Sequence, residues 1–347
     1  MIDLNDKNKI AEIDKSNAYS SVVSVAKQCR QAWEETQKLN LPPDYMDVKN
    51  IILCGMGGSA YAALIIKSLF ANKLKIPFEL VNGYELPAYV NETTLILLSS
   101  YSGSTEEVLN CAKLALEKKA KITAVANGSS LEEFVENHNL PSYIFDAKFN
   151  PAGQPRLGQG YMIFGHMGIL AKLGLIPLPD TEVLSAIKFL EDMNLEIEEL
   201  AKKHVKEFIE KILVIVASEH LSGNAHVLRN QTNETAKNFA TYSLLSELNH
   251  HLMEGLNHPK ERILKFLFLK SSLYSPIIQK RLNLTIDVVS KNKIEVFELQ
   301  IQGDSPLKQM LYALSYGGYL TFYWGILYGQ DPSLIPWVDY FKEQLSK

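Results

Sequence analysis

The sequence has few of the features that mark secreted, membrane-spanning or nucleic-acid-binding proteins. It has only three cysteines in 347 residues, and their spacing fits neither a metal site nor a disulfide framework, which favours a reducing cytoplasm. It has no long hydrophobic run, because Ser315, Gly317 and Gly318 interrupt its most apolar stretch, residues 312–328. Its formal net charge is only −4, which does not favour a nucleic acid or an anionic membrane as partner. A small molecule or another protein is the partner that remains.

Length and composition are those of a two-domain globular protein. Domains commonly hold about 100–200 residues, so the chain is long enough for two sizeable cores. Hydrophobic residues make up 46% of the sequence and charged residues 21%, so composition points to no unusual class. Residues 1–17 are polar from the first turn, so no secretory leader is expected.

Short apolar runs alternate with helical patterns in the first half of the chain. The runs NIILCG, FELV, TLILLSS, KITAVA and YIFDA are typical of strands, and helical patterns begin near residues 61, 106 and 131. Such alternation predicts a parallel sheet with helices on both faces. Because the crossovers are right-handed, all strand ends that lead into helices are expected at one edge of the sheet.

The same alternation resumes after a proline-rich joint in GILAKLGLIPLPDTE. A charged helix is predicted over residues 181–211, followed by the strand-like runs KILVIVAS, ILKFLFLKS and KIEVFELQI. Helices are predicted from residue 222, over 277–284 and over 305–328. The sequence therefore predicts an α/β protein with two similar domains, residues 1–172 and 173–347, each a parallel sheet flanked by helices on both faces.

The segment GMGGSA, residues 55–60, follows the first predicted strand and fits the glycine pattern of dinucleotide-binding folds. That kind of site also needs an acidic residue at the end of the next strand, where it binds the ribose hydroxyls. The next predicted strand, FELV, ends instead in Asn82 and Gly83. A dinucleotide site is therefore disfavoured.

The segment SYSGST, residues 100–105, ends the third predicted strand and begins the next helix. A helix N-terminus presents free amide donors and the positive end of the helix dipole, so it binds phosphate readily. The segment contains no lysine or arginine, so neutral donors would hold the phosphate. The alternative is a serine-rich N-cap with Glu106 and Glu107 in the first turn. Since capping needs only one hydroxyl, a phosphate site is favoured.

These two segments together resemble the SIS (sugar isomerase) domain, which binds phosphosugars. A further match is more specific: RNQTNETAKN, which contains Glu234, and ELNH, which ends at His250, resemble segments of the bifunctional phosphoglucose/phosphomannose isomerases. That family's glutamate and histidine are sixteen residues apart, as are residues 234 and 250 here. The resemblance extends over nearly the whole chain and implies two SIS-type domains.

The resemblance also implies roles for other residues. Arg156, in NPAGQPRLG, matches the family's arginine, and Lys342, in VDYFKEQL, matches its C-terminal lysine. In the family the histidine enters the site from the other subunit, so a homodimer with its site at the subunit interface is implied. The positions that bind the substrate phosphate are taken here by Gly58, Ser59, Ser100, Ser102 and Thr105.

These residue types suit the isomerisation of a sugar phosphate. Moving a carbonyl between C1 and C2 needs a base that transfers a proton between the two carbons, which is a role for Glu234. Arg156 suits the stabilisation of the negative cis-enediolate oxygen, because a guanidinium keeps its proton. His250 suits the opening of the sugar ring, because an imidazole exchanges protons near neutral pH, and Lys342 would assist it. No metal or other cofactor is required.

The favoured hypothesis is an isomerase that interconverts glucose 6-phosphate, and as a second substrate mannose 6-phosphate, with fructose 6-phosphate. The alternative is a non-catalytic sugar-phosphate sensor, since SIS domains also occur in regulators. The chain also departs from the family. His251 and Leu252 replace the Asn-Glu that usually follows the histidine, and Ile335 replaces a threonine that the family links with mannose substrates. The retained catalytic set favours the enzyme, because a sensor needs only the phosphate loop.

Taken singly, these residues have simpler explanations. Glu234 and Lys237, three residues apart on a helix, are typical of a surface ion pair. His250, His251 and His258 suggest a metal cluster, but no matching carboxylate or cysteine pattern accompanies them. Only their joint match to one family favours the catalytic interpretation.

Overall fold

The computed structural model of the protein describes residues 2–261, 263–345 and 347. Within the described residues, the N-terminal half contains seven α-helices and five strands. Its helices are α1 (Lys7–Ile13), α2 (Ala18–Val23), α3 (Val25–Thr36), α4 (Tyr61–Leu69), α5 (Glu106–Glu117), α6 (Ser129–Asn137) and α7 (Gln159–Lys172). Its strands are β1 (Asn50–Gly55), β2 (Phe78–Val81), β3 (Thr94–Ser100), β4 (Lys121–Ala126) and β5 (Ser142–Ile144).

These five strands form one parallel sheet in the order β2-β1-β3-β4-β5. Successive residues of a strand point to opposite faces. On β1, Ile52 and Cys54 face a core formed with α5 and α6, whereas Ile51 and Leu53 belong to a larger core that includes α4 and α7. Helices therefore cover both faces, and the loops after β1 and β3 emerge at the same edge of the sheet.

In the part of the C-terminal half that the structure describes there are six α-helices and four strands. The helices are α8 (Asp180–His204), α9 (Ser222–Glu234), α10 (Leu245–Gly255), α11 (Pro276–Lys291), α12 (Pro306–Leu327) and α13 (Pro336–Leu345). The strands β6 (Ile212–Ala217), β7 (Ala240–Leu244), β8 (Leu264–Lys270) and β9 (Glu295–Gln300) are parallel, in the order β7-β6-β8-β9. This repeats the order β2-β1-β3-β4, so β6 corresponds to β1 and β8 to β3.

One hydrophobic core joins the two halves. It includes Leu53 on β1, Ile66 on α4, Ile215 on β6 and Trp324 on α12, all of them fully buried. Each such side chain contributes about 1.5–3 kcal/mol when it is removed from water, so a core this large fixes the two sheets relative to each other. Although α12 is apolar, no helix in the described part of the chain is both long and apolar enough to cross a membrane.

The predicted α/β class with two parallel, helix-flanked sheets is confirmed, although several element boundaries differ. The predicted helix over 181–211 ends at His204 and continues as a short 3-10 turn, residues 205–208. The sequence pattern does not indicate β7, because ATYSL is a short edge strand with exposed and half-buried positions. The domain boundary at residues 172 and 173 coincides with the end of α7 and stays a prediction, since the core is continuous across it.

Candidate active site

A cavity of about 600 Å³ lies at the carboxyl edge of the first sheet. Its walls come from the loops after β1 and β3, the loop over residues 153–156, the end of α9 and the C-terminal segment 333–342. It brings together seven of the nine predicted site residues: Gly58, Ser59, Ser102, Thr105, Arg156, Glu234 and Lys342.

The glycines of the loop after β1 let two loops approach each other closely. Gly57 has a φ of +50°, in the left-handed region that glycine enters without strain. Gly58 packs against the main chain at Arg156, where an added Cβ would lie 3.1 Å from the Arg156 nitrogen. The hydroxyl of Ser59 accepts a hydrogen bond from the Tyr101 N–H at 2.9 Å. The glycines thus place the main chain at Arg156 against the loop after β1.

The loop after β3 leaves the first turn of α5 open to the cavity. Thr105 is the N-cap residue, but no side chain accepts a hydrogen bond from the first-turn amides within the described residues. The Thr105 hydroxyl instead forms a hydrogen bond of 2.7 Å with the Ser100 hydroxyl. Ser100 itself is fully buried. The N-cap explanation of this segment therefore does not account for its hydroxyls. Free amides at a helix N-terminus can bind an anion.

Arg156 is fixed beside Glu234. Its side chain is 1% exposed, and its Nη1 lies 3.6 Å from the Glu234 Oε2. Its Nε donates to the Thr235 hydroxyl at 3.1 Å, and Nη1 donates to the Gln154 Oε1 at 3.2 Å. Burial lowers the pKa of Arg156, whereas the negative charge of Glu234 raises it, and the guanidinium stays protonated. A fixed positive charge thus faces a carboxylate that remains 33% exposed.

Lys237 bonds to main-chain carbonyls, whereas its spacing from Glu234 suggests a surface ion pair. Its Nζ donates to the main-chain carbonyl of Glu234 at 2.6 Å and to that of Pro332 at 3.3 Å. Burial and the positive charge of Arg156 lower the pKa of Lys237 to about 8. Through its two hydrogen bonds, the lysine connects the end of α9 to the C-terminal segment.

The remaining two catalytic candidates lie on different helices of the C-terminal half. Lys342 lines the cavity from α13, together with Asp339. His250 lies exposed on α10 and does not contribute to the lining of the cavity. The Nε2 of His251, its neighbour, lies 3.9 Å from the Glu247 Oε1. In the described parts of the chain, however, no group of three histidine, cysteine, aspartate or glutamate side chains could hold a metal ion.

Comparison with known proteins shows two SIS domains and full-length similarity to known isomerases. The SIS domain model matches residues 44–138, and the model of the bacterial phospho-glucose isomerase C-terminal SIS domain matches residues 197–345. A bifunctional phosphoglucose/phosphomannose isomerase from Caldicellulosiruptor bescii is 29% identical over 343 residues, which cover 95% of this chain and 99% of that one. This chain has two SIS domains and is similar over nearly its whole length to bifunctional phosphoglucose/phosphomannose isomerases.

Other relatives agree in extent. An Aquifex aeolicus protein of the same name is 28% identical over 323 residues, covering 91% of this chain and 94% of its own. Among solved structures, the tagatose-6-phosphate ketose/aldose isomerase from Escherichia coli aligns with a TM-score of 0.66 over 95% of this chain and 96% of its own. At 16% identity, that similarity shows the SIS fold alone.

The second SIS domain differs at the equivalent sheet edge. Glu219 follows β6, and its carboxylate accepts hydrogen bonds from Ser275, the N-cap residue of α11, from the N–H at 3.1 Å and from the hydroxyl at 2.6 Å. Helix α11 follows β8, just as α5 follows β3. A carboxylate of the chain is therefore bound to the N-cap residue of α11, although within the described residues no N-cap side chain accepts a hydrogen bond from the first-turn amides of either helix.

Several polar residues that the sequence interpretation did not select as site residues also line the cavity, among them Asn127, Gln154 and Asp339. Asn127 directly follows β4, and a polar residue at the carboxyl end of a parallel strand is a signal that could have found it. Gln154 lies two residues before Arg156 and accepts its hydrogen bond. Asp339 has no such signal in the sequence, because only the tertiary structure brings α13 to this edge.

Proposed function

We propose that this protein is a phosphosugar aldose-ketose isomerase. It interconverts glucose 6-phosphate, and as a second substrate mannose 6-phosphate, with fructose 6-phosphate. The single observation that carries the proposal is the pairing of Glu234 with a buried Arg156 at 3.6 Å, in a cavity that also contains an uncapped helix N-terminus. A proton-transfer group, a fixed cation and a phosphate site are what the reaction needs, and similarity to these isomerases favours the enzyme over a sensor.

The phosphate of the substrate binds at the start of α5. The open amides of the first turn donate hydrogen bonds to it, and the hydroxyls of Ser102 and Thr105 add two more donors. Ser59 and Gly58 form the opposite wall. Neutral donors are sufficient here, because the positive end of the helix dipole contributes to the binding of an anion.

Glu234 transfers the proton between the two carbons. In the aldose-to-ketose direction its carboxylate removes the proton from C2 and delivers it to C1, while the protons on the two oxygens redistribute. The intermediate is a cis-enediolate whose negative oxygen faces the guanidinium of Arg156. The hydrogen bonds of Arg156 to Thr235 and Gln154 hold that charge in place before the reaction begins.

Ring opening needs an acid-base pair, and within one chain Lys342 lines the cavity whereas His250 does not. We infer that His250 of the partner subunit enters the site of a homodimer and, with Lys342, moves the protons of the ring oxygen and the hydroxyl. Helix α13 supports a dimer, because it exposes large apolar side chains beside the cavity, with Trp337 82% exposed. Three buried free thiols are compatible with the reducing cytoplasm that we infer for the enzyme.

A coupled assay with fructose 6-phosphate tests the reaction, with the formation of glucose 6-phosphate and mannose 6-phosphate followed separately and no metal added. The two products are followed apart because Ile335, at the position of the threonine linked with mannose substrates, lines the cavity. Glu234→Gln is expected to abolish turnover while fructose 6-phosphate still raises the melting temperature. Glu136→Gln, on the exposed face of α6, is the matched control and should keep full activity. Unchanged turnover in Glu234→Gln would refute the role of Glu234.

Mixed dimers test the shared site. Glu234→Gln and His250→Ala should each be inactive alone, whereas co-expression of the two variants should restore about a quarter of the wild-type activity, because half of the dimers are mixed and each has one complete site. No restoration on co-expression would mean that Glu234 and His250 act within one chain, or that no dimer forms. Size-exclusion chromatography with light scattering separates these two outcomes.

A further inference from the structure

The C-terminal segment is attached to the rest of the molecule mainly at two residues. Pro332 and Ser333 are buried, whereas none of the ten residues of α13 that follow is buried. Helix α12 ends just before, at Leu327. The position of α13 therefore depends on what holds this buried pair.

Two cationic side chains hold the buried pair through its main-chain carbonyls. Arg156 Nη2 donates to the Pro332 carbonyl at 2.7 Å and to the Ser333 carbonyl at 3.0 Å. Lys237 Nζ donates to the same Pro332 carbonyl at 3.3 Å. The Ser333 N–H donates in turn to the Asp331 carboxylate at 2.8 Å. Buried carbonyls that lose their donors are costly, so these bonds keep the segment in one conformation.

Lys237 also connects this segment to the residue that carries the carboxylate base. Its second hydrogen bond goes to the main-chain carbonyl of Glu234 at 2.6 Å, at the end of α9. On the other side of the segment, α13 brings Lys342 and Asp339 to the cavity wall. One lysine thus spans the two chain segments that supply Glu234 and Lys342.

We propose that Lys237 is a positioning residue that holds α13 in register with α9, so that Lys342 and Glu234 act on the same substrate. The inference rests on the proposed function for its catalytic consequence, but the attachment itself does not. Lys237 lies half-buried at the end of α9, where Arg156 is the cation beside it and Asp331 and Glu234 are the anions. It lies behind Glu234 rather than in the cavity lining, so it acts through the residues that it holds.

Lys237→Met removes both hydrogen bonds and keeps an unbranched side chain of similar length. We expect amide hydrogen exchange over residues 334–345 to become at least about tenfold faster, while exchange over α9 stays unchanged. We expect kcat to fall by about 10- to 100-fold, because a misplacement of about 1 Å costs rate on that scale, while KM changes less than about twofold, since the phosphate loop is untouched. Lys237→Arg, which retains charge and donors, should restore most of kcat.

Lys280→Met is the matched control, because that lysine is exposed on α11, away from the cavity. It should leave both exchange and kcat at wild-type values. If Lys237→Met does not fold, Lys237→Gln replaces it, and the same exchange pattern is expected.

Unchanged exchange over residues 334–345 in the folded Lys237 variant would overturn the proposal. So would a rise in KM with unchanged kcat, because that would place Lys237 in substrate binding. If the wild-type protein does not isomerise fructose 6-phosphate, the proposed function fails, while hydrogen exchange still decides whether Lys237 holds α13.

Discussion

His166 makes the stability of this protein depend on pH in a way that can be calculated. It lies on α7, where every residue from Gln159 to Leu170 is buried, and it is itself fully buried. Neither ring nitrogen has a hydrogen-bond partner within the described structure. Burial lowers the pKa of His166 from its ordinary value of 6.5 to about 3, so the imidazole is neutral in the folded protein.

The direction of the effect follows from proton linkage. Below 6.5 the unfolded chain binds a proton at His166 that the folded protein does not bind until about 3, so the free energy of unfolding falls as the pH decreases through this window. At about pH 5 the difference amounts to about 2 kcal/mol, and above about pH 8 it is absent. The burial of His166 therefore does not reduce the free energy of unfolding at alkaline pH, but reduces it progressively as the solution becomes acidic.

His166→Leu isolates this contribution, because leucine is apolar and close to histidine in volume. Urea unfolding of the wild type and the variant should be measured at about pH 8 and about pH 5, with equal m-values as a check that the unfolded states are comparable. We expect the variant to gain about 2 kcal/mol relative to the wild type between the two pH values. The other histidines with lowered pKa values, His204, His220 and His226, are common to both proteins and cancel in this difference. A wild-type-minus-variant difference that stays the same at both pH values would refute the reasoning.

Three further predictions concern the loops at the two sheet edges. The double variant Ser102→Ala with Thr105→Ala should raise KM for fructose 6-phosphate by at least about tenfold, because it removes two phosphate donors of about 1.5 kcal/mol each. An unaffected KM in the coupled assay would exclude this loop from the site. Gly103→Ala should lower both the melting temperature and activity, because Gly103 has a φ of +68° and an added Cβ would collide with a neighbouring carbonyl; wild-type values in calorimetry and assay would contradict this. Glu219→Ala should lower the free energy of unfolding in urea by about 1 kcal/mol, because it removes the acceptor for Ser275. It should leave kcat/KM unchanged, and a loss of kcat/KM would show that the second sheet edge takes part in the reaction.

The order of strands and helices was largely predictable because the central strands of both sheets are buried and parallel. Such strands are continuous apolar runs, as in TLILLSS, which becomes β3 with all seven residues buried. The pattern fails at the edge strand β7, because ATYSL has one buried residue and no continuous apolar run.

The candidate site was predictable where chemistry and local structure coincide. Hydroxyls at the start of α5 follow from the position of SYSGST after a strand, and Glu234 was selected because its segment and its spacing to His250 resemble those of the isomerases. The hydrogen bonds of Lys237 were not predictable, because its spacing from Glu234 suggests a surface ion pair rather than a bond to two carbonyls. Contacts between segments almost a hundred residues apart leave no local pattern in one sequence.

The sequence by itself determined the class of fold, the two sheets and the loops that lie at their edges, because these depend on the period of apolar residues and on turn chemistry between neighbours. The tertiary structure alone decided which helix start has a carboxylate bound to its N-cap residue. It placed the Glu219 carboxylate at the start of α11 and left the start of α5 without a side-chain acceptor. It also buried Arg156 and turned its guanidinium towards both Glu234 and the carbonyls that hold α13. These arrangements depend on how the two halves pack around one core, and packing between distant segments is fixed only once the chain has folded.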